Sequence, residues 1–140
     1  MNAETRAKVV AEALNWKGTP YVHNQALKSV AADCALFPLA VYEAVGVLKP
    51  GPVPEYSPQW FLHRSEEKYM QAVLERGAVE TDSLEPGNFC LWRIGRCYSH
   101  GGIIIRWPQI IHALRPREVM LSDATNEASI CRKPMKVFTL

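Results

Sequence analysis

Hydrophobic and polar positions divide this chain into a helical half followed by a strand-like half. Over residues 3–16, Ala7, Val10, Ala11, Ala13 and Leu14 recur at helical spacings between charges, which predicts an amphipathic helix. Gly18-Thr19-Pro20 ends it as a turn. Tyr21 to Val30 is polar, without a period, and reads as a loop. A second helix is predicted from Cys34 to Val45, with Asp33 as its N-cap and Gly46 closing it. Pro38 falls in or just beyond its first turn, where a missing N–H costs little. Ser57-Pro58 resembles an N-cap followed by proline at the first helical position, so a short helix is expected through His63. Another runs from about Glu66 to Arg76 and stops at Gly77. After the turn Glu85-Pro86-Gly87 the period changes to two. Asn88 to Ile94, Gly101 to Trp107, Gln109 to Leu114, Val119 to Leu121 and Met135 to Phe138 all predict strands. Helices first and strands second argue for an α+β fold with an antiparallel sheet.

Length and composition fit one domain over residues 1–140. The chain has 48% hydrophobic and 21% charged residues, ordinary for a globular protein. A net charge of +2 is too small to indicate nucleic acid as a partner. Four of the ten prolines lie in residues 48–58. That stretch is read as an ordered loop or surface cover, because neither flank is long enough to be a separate domain. The four cysteines are too few for a disulfide scaffold. Cys90 and Cys97 are either paired across a hairpin or two buried thiols. The longest apolar run, Cys34 to Tyr42, is too short to span a membrane, and the charged N-terminus lacks the apolar core of a signal peptide.

Candidate chemistry centres on Cys34. A helix start offers unsatisfied N–H groups and partial positive charge, both of which favour a thiolate. Asp33 opposes this unless its carboxylate is turned onto the N–H groups of Ala35 or Leu36 as a cap. Two histidines lie in strand-like surroundings: His100 in Ser99-His100-Gly101-Gly102, and His112 in Ile110-Ile111-His112-Ala113. The paired glycines are expected to leave one side of the His100 imidazole open. A short turn at Trp107-Pro108-Gln109 joins the two segments, so a hairpin would set the histidines opposite each other. A thiol nucleophile, a base and a group that orients the base form a cysteine hydrolase site. Tyr21 is placed to hydrogen-bond an oxyanion or hold substrate. His23 and His63 lack such context and read as surface residues. Trp60, Trp92 and Trp107 read as core or groove walls. A metal site from Cys90, Cys97, His100 and Cys131 would lack the short Cys-Cys spacing of structural zinc sites.

Five ordered blocks carry a family likeness. They are Trp16-Lys17-Gly18-Thr19-Pro20-Tyr21, Asp33-Cys34-Ala35-Leu36, Glu85-Pro86-Gly87-Asn88, Ser99-His100-Gly101-Gly102-Ile103 and Ile111-His112-Ala113. Together they resemble the NlpC-type cell-wall cysteine peptidases, nearest the short phage and prophage tail-associated branch. The glycine usual before the Asp-Cys pair is absent, and Asn88 stands where an acidic residue is usual. The resemblance implies a papain-like α+β fold and hydrolysis of peptide amides in peptidoglycan stem peptides. It makes Cys34 the nucleophile, His100 the base, His112 the third polar residue and Tyr21 the active-site tyrosine. No cofactor or metal is expected.

Peptidoglycan lies outside the cytoplasmic membrane, and no export signal or membrane anchor is read in the chain. The expectation is therefore a protein made in the cytoplasm and delivered on a virion or tail-like particle, acting in the periplasm or cell wall. Tail or baseplate proteins would be its partners. Residues 50–58 and Trp60-Phe61-Leu62 are candidates either for that docking surface or for one wall of the substrate cleft. The alternative is a structural tail or baseplate component that keeps the fold for assembly.

Overall fold

A computed structural model describes residues 1–53, 56–57 and 67–140. Helix α1 spans Ala3–Leu14, and Asn2 caps it by accepting from the Thr5 N–H at 2.8 Å. Its buried stripe is Val9 and Ala13, one turn apart, whereas Ala7, Ala11 and Leu14 are exposed. The spacing is helical as expected, but the buried face lies to one side of the predicted stripe.

Helix α2 spans Leu36–Val45, two residues shorter at its start than predicted. Cys34 therefore precedes the helix. Phe37, Pro38, Val41 and Tyr42 are buried. Pro38 sits in the first turn, where its lack of an N–H breaks no helical bond. Gly46 ends the helix with φ +81, a left-handed conformation that glycine adopts without a Cβ clash. The predicted loop of residues 21–30 contains half of a small hairpin, in which β1 (Ala26–Leu27) pairs with β2 (Ala31–Ala32). Helix α3 covers Lys68–Glu75. The expected helix through His63 falls outside the described residues.

Among the described residues, six strands form one antiparallel sheet. They are β3 (Val79–Thr81), β4 (Phe89–Ile94), β5 (Cys97–Arg106), β6 (Gln109–Ala113), β7 (Val119–Asp123) and β8 (Met135–Thr139), in the order β3-β8-β4-β5-β6-β7. Strand β3 was not predicted, because three residues at a sheet edge establish no period. β5 begins four residues earlier than predicted, so His100 lies within a strand.

The core forms on both sheet faces. Phe89, Leu91, Ile103 and Ile111 pack toward α1 and α2, together with Val9, Ala13, Phe37 and Val41. The alternate residues Cys90, Trp92, Ile104 and Ile110 pack under Ala124 and Ile130. Burial on both sides explains the unbroken apolar run at the start of β4. Asn88 is buried between the helical layer and β4. It accepts from Arg6 Nη1 at 2.7 Å and donates to the Ser83 carbonyl at 2.9 Å. Cys90 lies opposite Gly102, and Cys97 opposite Ile94. The two thiols thus do not face each other across the hairpin, and no disulfide joins them.

Candidate active site

The approach to α2 is organised by Asp33, which is 1% exposed. Its Oδ1 accepts from the N–H groups of Ala35 at 3.0 Å and Leu36 at 2.7 Å, so the carboxylate caps the helix as expected. Its Oδ2 accepts from the Asn24 N–H at 2.7 Å and from the Tyr56 hydroxyl. His23 is drawn into the same cluster. Its Nε2 lies 2.7 Å from the Tyr56 carbonyl, and its Nδ1 lies 4.0 Å from Asp33 Oδ2. The expectation that His23 is a surface residue is therefore corrected: it is half-buried, because its ring packs edge-on against Tyr56 beside Asp33. His63 and Trp60 lie outside the described residues.

The Cys34 sulfur rests between Tyr21 and β5. The Tyr21 hydroxyl lies 4.0 Å from it, and the Ser99 carbonyl 3.7 Å. Burial pushes the thiol up to about 12, and the neighbouring Asp33 charge pushes the same way. The Tyr21 hydroxyl and the N–H groups of Gly101 and Cys34 itself offset part of this. At rest the thiol is neutral. The thiolate expected from a helix start is not stabilised here, since the helix begins two residues later and its first N–H groups are already held by Asp33.

His100 and His112 meet side by side. His100 Nε2 is 2.8 Å from His112 Nδ1, with the rings nearly perpendicular at 82°. The strand register pairs Ile103 with Ile111, so the histidines are diagonal rather than opposite as predicted. Gly102 is His112's neighbour instead. A Cβ on Gly102 would lie 3.1 Å from the Ile111 carbonyl oxygen, 3.2 Å from the Trp92 ring and 3.3 Å from the His112 Cβ, so glycine lets β6 and Trp92 close in here. Gly101 is needed for a different reason, because its empty side faces Tyr69, Phe89 and the Cys34 carbonyl. The glycine pair thus permits close packing rather than opening a face of His100. Trp92 flanks His100 at 6.0 Å between ring centroids.

Burial lowers His100 to about 3, helped by repulsion from His112, and lowers His112 to about 4 against the opposing charge of Glu127. Both rings are neutral at neutral pH. His112 is fully buried, and its Nε2 lies 2.8 Å from Ser122 Oγ on β7.

A small cavity of about 130 Å³ adjoins this cluster, lined by Tyr21, His100, Ala113, Arg115, Ser129 and Ile130. A larger one of about 890 Å³ lies between α2, α3 and residues Pro52, Val53, Tyr56 and Ser57. The smaller cavity is the one that reaches His100 and Tyr21. Among the described residues, no three metal-capable side chains converge, and no helix is long and apolar enough to cross a membrane.

No protein-family model and no curated protein matches the sequence. Solved structures do match. The NlpC/p60 domain of the peptidoglycan hydrolase SagA superposes with a TM-score of 0.64 at 24% identity, covering 94% of this chain and 97% of that one. NlpC1 from Trichomonas vaginalis gives 0.66 at 14% identity, with this whole chain covering 46% of that one. The fold is that of an NlpC/p60 domain. Within it, the predicted residues form two adjoining groups. Tyr21, Asp33 and Cys34 surround the start of α2. His100 and His112 share the neighbouring strands, and the sulfur touches the carbonyl of the residue before His100. Sequence reasoning missed Tyr56, Tyr69 and Ser122. Only the β6–β7 register, which pairs His112 with Met120, brings Ser122 diagonally within reach of His112.

Proposed function

We propose that this NlpC/p60 domain is a cysteine peptidase that hydrolyses peptide amide bonds in bacterial peptidoglycan. The observation that carries this reading is the pairing of His100 with His112 at 2.8 Å, on the strand whose Ser99 carbonyl receives the Cys34 thiol. The likeness to a domain of a peptidoglycan hydrolase supports the substrate class.

The chemistry follows from the neutral resting state. His100 Nδ1, the ring nitrogen not engaged by His112, takes the thiol proton as the sulfur attacks the carbonyl carbon. The Cys34 N–H group, with the Tyr21 hydroxyl, is the donor set for the developing negative charge. His100 then gives its proton to the leaving amine, and a thioester remains on Cys34. Water adds to the thioester, passing a proton to His100; the sulfur leaves as a thiolate and takes that proton back from His100 as the acid product is released. His112 holds the imidazole in orientation throughout.

Association with a phage tail or tail-like particle is part of the same proposal, resting on the likeness of the sequence blocks to that branch. Proteomics of purified particles beside free lysate checks it, and absence from particles rejects it. The catalytic reading is tested by digesting purified sacculi and identifying products by mass spectrometry. The wild-type chain is expected to release new peptide termini, and Cys34→Ala to fold normally and release none. An active Cys34→Ala protein would end the cysteine-peptidase reading.

A further inference from the structure

We propose that Ser122 is a fourth member of the site, a positioning residue whose hydroxyl supplies the acceptor required by the one proton arrangement that leaves His100 Nδ1 free. The inference rests on the reading of His100 as the base.

His112 is fully buried, and both of its ring nitrogens are engaged, Nδ1 with His100 and Nε2 with Ser122 Oγ, each at 2.8 Å. A neutral imidazole has one donor and one acceptor nitrogen. Two hydrogen-bond chains are therefore open to the trio. In one, Ser122 donates to His112 Nε2, His112 Nδ1–H donates to His100 Nε2, and the His100 proton must sit on Nδ1. That form of His100 has no lone pair left for the thiol. In the other, His100 Nε2–H donates to His112 Nδ1, and His112 Nε2–H donates to Ser122 Oγ. Only this second chain leaves His100 Nδ1 bare.

The same chain serves the protonated state. When His100 accepts the thiol proton it becomes a donor at both nitrogens, while His112 and Ser122 keep their roles. No buried group has to reorient during the transfer, which is the benefit of a pre-set polar chain. Ser122 is also the acceptor available at that end of His112. The hydrogen-bond partner at His112 Nε2 is Ser122 Oγ, while the nearby Glu127 turns its Oε1 onto the Ser129 N–H at 3.3 Å and the Ser129 hydroxyl at 3.0 Å. Removing the Ser122 hydroxyl leaves a buried N–H without a partner, which is unfavourable. The remaining His112 tautomer carries its proton on Nδ1, aims it at His100 and forces the wrong His100 tautomer.

The test needs no knowledge of the bond cleaved. Iodoacetamide alkylation of Cys34 is followed at pH 7.5 by site-resolved mass spectrometry, which separates it from Cys131 and the two buried thiols. Sacculus digestion is measured in parallel. The variants are Ser122→Thr, which keeps a hydroxyl, Ser122→Val, which has the same shape without one, and Ser122→Ala. Partners that orient metal-bound histidines are worth about 10–100-fold, and the lower end of that range is taken for this pair. Ser122→Val and Ser122→Ala are therefore expected to slow both readouts at least about tenfold, with Ser122→Thr near wild type. Equal rates for Thr and Val, whether both normal or both reduced, would overturn the role of the hydroxyl. His100→Ala is the separate control. If it leaves alkylation unchanged, the base assignment itself fails. If it slows alkylation and the Val and Thr variants do not differ, only the Ser122 proposal fails.

Discussion

Placing a methyl group at Gly101 should damage stability and site together. An added Cβ would lie 2.8 Å from a Phe89 ring carbon and 2.9 Å from the Cys34 carbonyl oxygen, and closer still to the Tyr69 hydroxyl. Two of these neighbours cannot swing away, since one is backbone and the other is a core ring. The third can move only by abandoning the Cys34 and Ala35 carbonyls, to which Tyr69 donates at 3.1 and 3.2 Å. Overpacking of this kind costs about 1–3 kcal/mol. Losing the hydroxyl's hydrogen bonds adds about 1 kcal/mol. Gly101→Ala is thus expected to lose about 2–4 kcal/mol. For a chain of this length that lowers the melting temperature by about 7–14 °C. Urea denaturation and a thermal scan measure it. Combining it with Tyr69→Phe removes the closest atom, so the double variant should be less destabilised than the sum of the singles. A Gly101→Ala protein within about 0.5 kcal/mol of wild type would refute the argument that glycine is required by the approach of the nucleophile's backbone.

Two more outcomes follow from the histidine pair. His112→Asn should keep part of the hydrolytic activity, because an amide can still accept from His100 Nε2–H, whereas His112→Ala should lose most of it. Sacculus digestion by His112→Ala at the wild-type rate would remove His112 from the mechanism. Stability should also fall with acid in a defined window. Folded His100 and His112 titrate at about 3 and 4, below the ordinary 6.5, so the unfolded chain takes up protons first. Their contribution is complete above about pH 6.5 and is lost as pH drops toward 4 and 3. Urea midpoints between pH 8 and pH 4 should fall less for His112→Asn than for wild type, and parallel curves would contradict the neutral pair.

Local signals in the sequence determined the helices, the strands and the residue types of the site. Ala3 to Leu14 alternates apolar and charged positions at helical spacing, and Gly46 ends α2 because a residue with φ +81 pays no Cβ penalty only when it is glycine. Asp33 as a cap was also legible, since its reach to the next two N–H groups is a property of a few consecutive residues. Cys34, His100, His112 and Tyr21 could be singled out by type and neighbourhood. Pairing across the chain decided the rest. Whether the histidines lie opposite or diagonal depends on the β5–β6 register, and Ser122 becomes a partner only through the β6–β7 register. Tyr56 and Tyr69 reach Asp33 and the Cys34 carbonyl over gaps of 23 and 35 residues. Strand β3 exists because β8 offers it an edge. The protonation state of the site was likewise settled by burial around the sulfur and both imidazoles. Periodicity is written in neighbouring residues, whereas register and desolvation arise only when distant segments share one core.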